Sequence, residues 1–106
     1  MNAVLVQWAR KYNVPIIASN DSHYTDQEDS NAHDILLCVN TGEKQSTPIA
    51  TDEDGSTKDK RFGFPNDQFF FKTPEEMAQD FAEYPAALGT TLEIAERCNV
   101  EIELGT

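Results

Sequence analysis

The chain has 106 residues and a formal net charge of −11, from 19 acidic against 8 basic side chains. That length allows one domain at most, with a modest core, and the acidic balance excludes non-specific attraction to a phosphate backbone. Cys38 and Cys98 have neither the spacing of a zinc knuckle nor that of a secreted disulfide framework, so two buried free thiols are expected. The opening MNAVLVQWARKY has no basic leader, and no run reaches the roughly 18 apolar residues of a membrane span; a cytoplasmic chain without membrane contact is expected.

In chain order, Leu5, Trp8, Ala9 and Tyr12 recur at helical spacing and predict a helix over 2–12, with Asn13 as its stop because Asn tolerates the left-handed conformation. VPIIAS (14–19) is apolar on both faces, which predicts a strand covered from both sides, as in a parallel sheet. TDQE (25–28) fits a capping box, and the helix it opens carries Ala32, Ile35, Leu36 and Val39 as its apolar stripe and Gly42 as its end.

From 43 to 66 the pattern dissolves into polar residues, Gly and Pro, predicting a long surface excursion in which Lys58, Lys60 and Arg61 are solvated charges rather than a phosphate contact. QFFFK (68–72) is strand-like. TPEE (73–76) is a second capping box with Pro74 at the first helical position, opening a helix with Met77, Ala78 and Phe81 on one face. A further helix over 86–98 carries Leu88, Leu92, Ala95 and Cys98, and VEIELG turns extended again.

The chemistry concentrates at NDSHY (20–24). If the extended conformation of 14–19 continues, alternation projects Asp21 and His23 to one side at the strand's C-terminal end, where open α/β sheets and barrels place their sites. A carboxylate beside a neutral imidazole suits zinc, manganese or iron, yet a metal centre needs three or four protein donors. Spacing alone leaves a second reading open, an Asp that caps a turn with a His hydrogen-bonded to it. The other histidine, His33, reads as an ordinary helix residue.

Two blocks carry a resemblance. WARKYNVPIIASNDSHYTDQEDSNAHDILLCVNTG (8–42) and DQFFFKTPEEMAQDFAEYPAALGTTLEIAERCNVEIELG (67–105) are similar, in the same order, to the late part of the PHP (polymerase and histidinol phosphatase) domain of bacterial replicative DNA polymerases and to the strand and paired helices that lead on towards the palm. The loop of about 45–62 is the least similar. The resemblance implies an α/β fold, an incomplete fragment of a distorted (βα)7 PHP barrel followed by a helical connection: 1–66 as the C-terminal part of the barrel, 67–106 as the connection.

It also implies that Asp21 and His23 are the last two ligands of a divalent-metal cluster (Zn, Mn or Mg), with Asn20 and Tyr24 as supporting or packing residues. The family's earlier histidine-rich ligands would lie before Met1, and the palm's catalytic aspartates well after Thr106. Met1 thus reads as a start in mid-domain, and the chain holds no catalytic residue of its own. The function implied is that of a segment of a DNA-directed DNA polymerase, with phosphoesterase or 3′-5′ exonuclease potential in the whole domain. DNA and other replisome subunits are partners through the parent protein, and the isolated fragment is inactive and prone to self-association. Two alternatives stay open: a non-catalytic scaffold that docks other replisome subunits, and an independent small acidic binding protein.

Overall fold

Residues 1–51 and 58–105 are described by the computed structural model. They form two compact units, one joining Met1–Ser19 to the stretch that begins at Lys72, the other Asn20–Phe71.

In the first unit, helix α1 (Asn2–Tyr12) ends where Asn13 takes the left-handed conformation at φ 51°. The Val14 amide donates to the Ala9 carbonyl at 2.9 Å and the Asn13 amide to Arg10 at 3.4 Å. This double closure satisfies carbonyls that a helix end otherwise leaves open, and Arg10 and Lys11 in the last turn complement the dipole. Val6 and Ala9 face inward, whereas Leu5, Trp8 and Tyr12 of the expected stripe are exposed.

Val14–Ser19 does not form the expected strand, because no neighbouring strand among the described residues pairs with it. A strand needs lateral partners for its amides and carbonyls. Here the Ala18 amide instead donates to the Ala87 carbonyl at 3.0 Å. Ala18 and Ala87 are both buried, and their small side chains permit that approach.

Helix α3 (Pro74–Asp80) opens on the expected capping box. The Glu76 amide donates to the Thr73 hydroxyl at 3.2 Å, and the Thr73 amide donates to the Glu76 carboxylate at 2.8 Å. Lys72, its side chain largely buried, pairs with Asp80 at the far end of the same helix. Helix α4 (Pro85–Arg97) buries Ala87, but Leu92 and Cys98 are exposed, so only one of the two cysteines, Cys38 in the other unit, is buried as expected. Val100, Ile102 and Leu104 are exposed and pair with no strand among the described residues.

The second unit begins with the site segment and a 3-10 turn, Gln27–Asp29, that runs into helix α2 (Ser30–Thr41). The capping interaction lies one residue beyond its expected place: the Asp26 amide donates to the Asp29 carboxylate at 3.1 Å. Gly42 closes α2 in the left-handed conformation at φ 73°, as its position predicts. The inward face is not the apolar stripe. Cys38 is buried and His33, Asp34 and Leu37 are partly covered, while Ile35, Leu36 and Val39 face solvent.

That reversal follows from Arg61, which is buried rather than solvated. Its guanidinium makes two hydrogen bonds to the Asp34 carboxylate, Nη1 to Oδ1 at 2.6 Å and Nη2 to Oδ2 at 2.9 Å, and donates from Nε to the Thr47 carbonyl at 2.7 Å. Gln45 adds Nε2 contacts to Asn31 at 2.8 Å and Asp34 at 2.9 Å. The expected surface excursion is therefore anchored at both of its described ends, 43–51 and 58–66; its residues 52–57 lie outside the described ones. An isolated bridge, Ile49 with Arg61, joins those ends. Gly63 comes two residues later, and a Cβ there would stand 2.7 Å from the Ile49 side chain, so any larger residue would have to displace that side chain.

The Arg61 hydrogen bonds hold the Asp34 carboxyl below the usual carboxylate range, against an opposing effect of burial. In the window between the folded and unfolded values the unfolded chain binds more protons, so stability rises with pH there. The contribution of the pair is complete above about pH 4 and is lost as pH falls through the lowered folded value. We expect Asp34→Asn to be less stable at neutral pH and to show a shallower acid dependence than wild type. Hydrogen exchange at the Ala50 amide, which donates to the Arg61 carbonyl at 2.9 Å, reports this locally.

Candidate functional site

The segment Asn20–Thr25 lies along Gln68–Phe71 and is joined to it by backbone and side chains alternately. The His23 amide donates to the Phe69 carbonyl at 2.7 Å, the Phe71 amide to Tyr24 at 3.1 Å, and Tyr24 forms a parallel bridge with Phe70. Between these, Asn20 Nδ2 donates to the Gln68 and Phe70 carbonyls at 3.1 and 3.0 Å, and the Ser22 hydroxyl to Phe70 at 3.2 Å. The Phe69 amide donates to the Tyr24 hydroxyl at 3.3 Å.

Asn20 and Ser22 are thus turned to the neighbouring backbone, and Asp21 and His23 take the alternate positions, as extended geometry requires. Asn20 and Tyr24 each make hydrogen bonds to the Gln68–Phe70 backbone. Ser22 acts in the same way, although its small hydroxyl gave no signal in the sequence.

Asp21 is largely exposed, and the His23 side chain is 39% exposed. His23 Nδ1 lies 2.8 Å from the backbone carbonyl of Asp21, and the Asp21 carboxylate stands 3.6 Å away, beyond a hydrogen bond. A carbonyl only accepts, so Nδ1 carries the proton in this contact, and in the neutral imidazole Nε2 is then the nitrogen with the available lone pair. That is the form in which an imidazole binds a metal, with the other nitrogen fixed by a hydrogen bond. The donors fit a divalent ion as part of a set: one free nitrogen, and one carboxylate with oxygens left over. Among the described residues, no three His, Cys, Asp or Glu side chains come together as a fuller set.

Around the imidazole stands a wall the sequence did not announce. The Phe64 ring is edge-on to His23 with centroids 4.6 Å apart, and Phe69 lies at 6.2 Å. His33, expected to be a plain helix residue, brings its ring to 5.7 Å from His23, 5.3 Å from Tyr24 and 4.7 Å from Phe64. A cavity of about 240 Å³ lined by Tyr24, His33, Asp34, Phe64 and Asp67 adjoins this cluster. The FGFP sequence and a His on α2 were the available signals, but only the loop's return brings them together. In the other unit a groove of about 460 Å³ between α1 and the start of α4 holds none of these residues.

No protein-family model matches the chain. Curated relatives do. It is 40% identical over 99 residues to the DNA polymerase III subunit alpha of Treponema pallidum, 39% over 99 residues to that of Borreliella burgdorferi, and 35% over 108 residues to that of Thermus aquaticus. These alignments cover 93%, 93% and 99% of the chain and 8% of each relative. The chain is therefore similar to part of a bacterial DNA polymerase subunit. More narrowly, the chain is homologous to one stretch of the DNA polymerase III α subunit, spanning about 8% of the length of those relatives.

Asn20→Ala removes this donor from the Gln68 and Phe70 carbonyls, and we expect it to destabilise the chain by about 0.5–1.5 kcal/mol. Urea unfolding checks this, and the Phe71 amide should exchange faster in the variant.

Proposed function

We propose that this chain is the late part of a PHP domain in a replicative DNA polymerase, an incomplete piece of a distorted (βα)7 barrel with its helical connection. Asp21 and His23 serve there as ligands of a divalent metal, zinc, manganese or magnesium, in a domain with phosphoesterase or 3′-5′ exonuclease capacity. One observation carries this reading: the Asp21 carbonyl fixes the Nδ1–H of His23 and frees Nε2, beside an exposed carboxylate, within a segment homologous to the polymerase α subunit.

A bound metal supplies polarisation of a phosphoryl oxygen and a lowered pKa, towards ~7, for water. The chain's own part is to hold. Asp21 contributes a negative oxygen donor, His23 a neutral nitrogen donor, and Asn20, Ser22 and Tyr24 fix the backbone that carries both. Neither Asp21 nor His23 transfers a proton. Two ligands bind a metal weakly, so the 106-residue chain is catalytically inactive by itself and self-associates through apolar surface. DNA and the other replisome subunits are met through the whole polymerase, in the cytoplasm. No helix among the described residues is long and apolar enough to cross a membrane.

A second reading, a scaffold that docks replisome subunits without holding metal, is favoured by the exposure of Ile35, Leu36 and Val39 on α2. Metal analysis of the full-length polymerase separates the two. We expect Asp21→Ala and His23→Ala each to lower the bound zinc or manganese; unchanged metal content in both variants supports the scaffold and overturns the ligand assignment.

A further inference from the structure

We propose that Phe64 is the positioning residue for His23, a wall delivered by a distant loop that holds the imidazole with Nε2 presented. The Nδ1 contact to the Asp21 carbonyl fixes one nitrogen, but a single hydrogen bond leaves the ring free to pivot about it. Phe64 closes that freedom. Its ring meets His23 at 4.6 Å and 82°, and its own place is set from two other sides, by Phe69 at 4.5 Å and His33 at 4.7 Å. Each contact is edge-on, the arrangement in which aromatic quadrupoles attract.

Phe64 itself is held by what precedes it. Arg61, three residues earlier, is clamped to Asp34 on α2, and the next residue back on that helix is His33. One turn of α2 therefore anchors the loop through Asp34 and supports its aromatic tip through His33, and Gly63 between them lets the loop pass against Ile49. The result is preorganisation of a donor atom by residues that never touch the ion, the arrangement whose loss weakens metal sites by about 10–100-fold.

The test compares the wild-type chain with Phe64→Leu, which loses the ring, and Phe64→Tyr, which keeps it. In the metal-free chain, long-range nitrogen–proton spectra of His23 should show the Nδ1–H form in wild type and Phe64→Tyr. Shifts averaged towards a mixture of the two tautomers are expected in Phe64→Leu. Exchange at the Ala50 amide controls for folding, and if Phe64→Leu unfolds the unit, Phe64→Met is read in its place.

Zinc titration of the same samples rests on the metal reading above and should show affinity about tenfold weaker or more in Phe64→Leu, restored in Phe64→Tyr. Wild-type ring signals in a folded Phe64→Leu chain overturn the positioning role whatever zinc does. Altered ring signals in Phe64→Leu, with the metal content of the full-length polymerase unchanged by Asp21→Ala and His23→Ala, support the positioning role and sink the metal reading instead.

Discussion

The second unit depends on one ion pair. Arg61 and Asp34 stand 27 residues apart, and their paired hydrogen bonds turn what would be a free loop into a strap across α2. An Arg–carboxylate fork fixes direction as well as distance. The guanidinium is buried, and the carbonyls of Thr47 and Gln45 take up further donors, so the charge is not left uncompensated. With the strap seated, α2 presents His33 and Asp34 inward with Leu37 and Cys38, and Ile35, Leu36 and Val39 outward, which departs from what hydrophobic patterning alone dictates.

The site grows out of that constraint. The strap ends in an aromatic residue, Phe64, that meets His23, and the backbone of Gln68–Phe71 then passes alongside Asn20–Thr25. The imidazole is thereby fixed from two directions, by a carbonyl of its own segment and by a ring from a remote one. His33 shares this cluster, which makes the two histidines of the chain neighbours although their positions in sequence suggest no relation. A helix face that exposes Ile35, Leu36 and Val39 is costly in water, and it accords with a segment that spans only 8% of its relatives' length.

Features governed by neighbours in sequence were legible. Asn13 and Gly42 end their helices in the left-handed conformation, and Thr73 with Glu76 starts one, because a cap needs only a few consecutive residues. The alternation that sets Asp21 and His23 apart from Asn20 and Ser22 was legible for the same reason. What depended on a distant partner was not. Val14–Ser19 has strand composition but no lateral neighbour among the described residues, and Arg61 looked like one charge in a polar run because Asp34 lies on another element. The stripes of α1, α2 and α4 told of apolar faces without telling which surfaces would cover them, and Cys98 went with its stripe to the outside.

The central claim is that Asp21 and His23, the latter through Nε2, are ligands of a divalent-metal centre of one or two ions in the complete domain. Anomalous diffraction at the zinc edge from crystals of the full-length enzyme grown with that ion tests it directly. The expected result is zinc density with peaks about 2.0–2.2 Å from His23 Nε2 and from an Asp21 carboxylate oxygen, on one ion or on two adjacent ones. A fully occupied metal elsewhere in the domain, with neither residue within coordination distance, would contradict it.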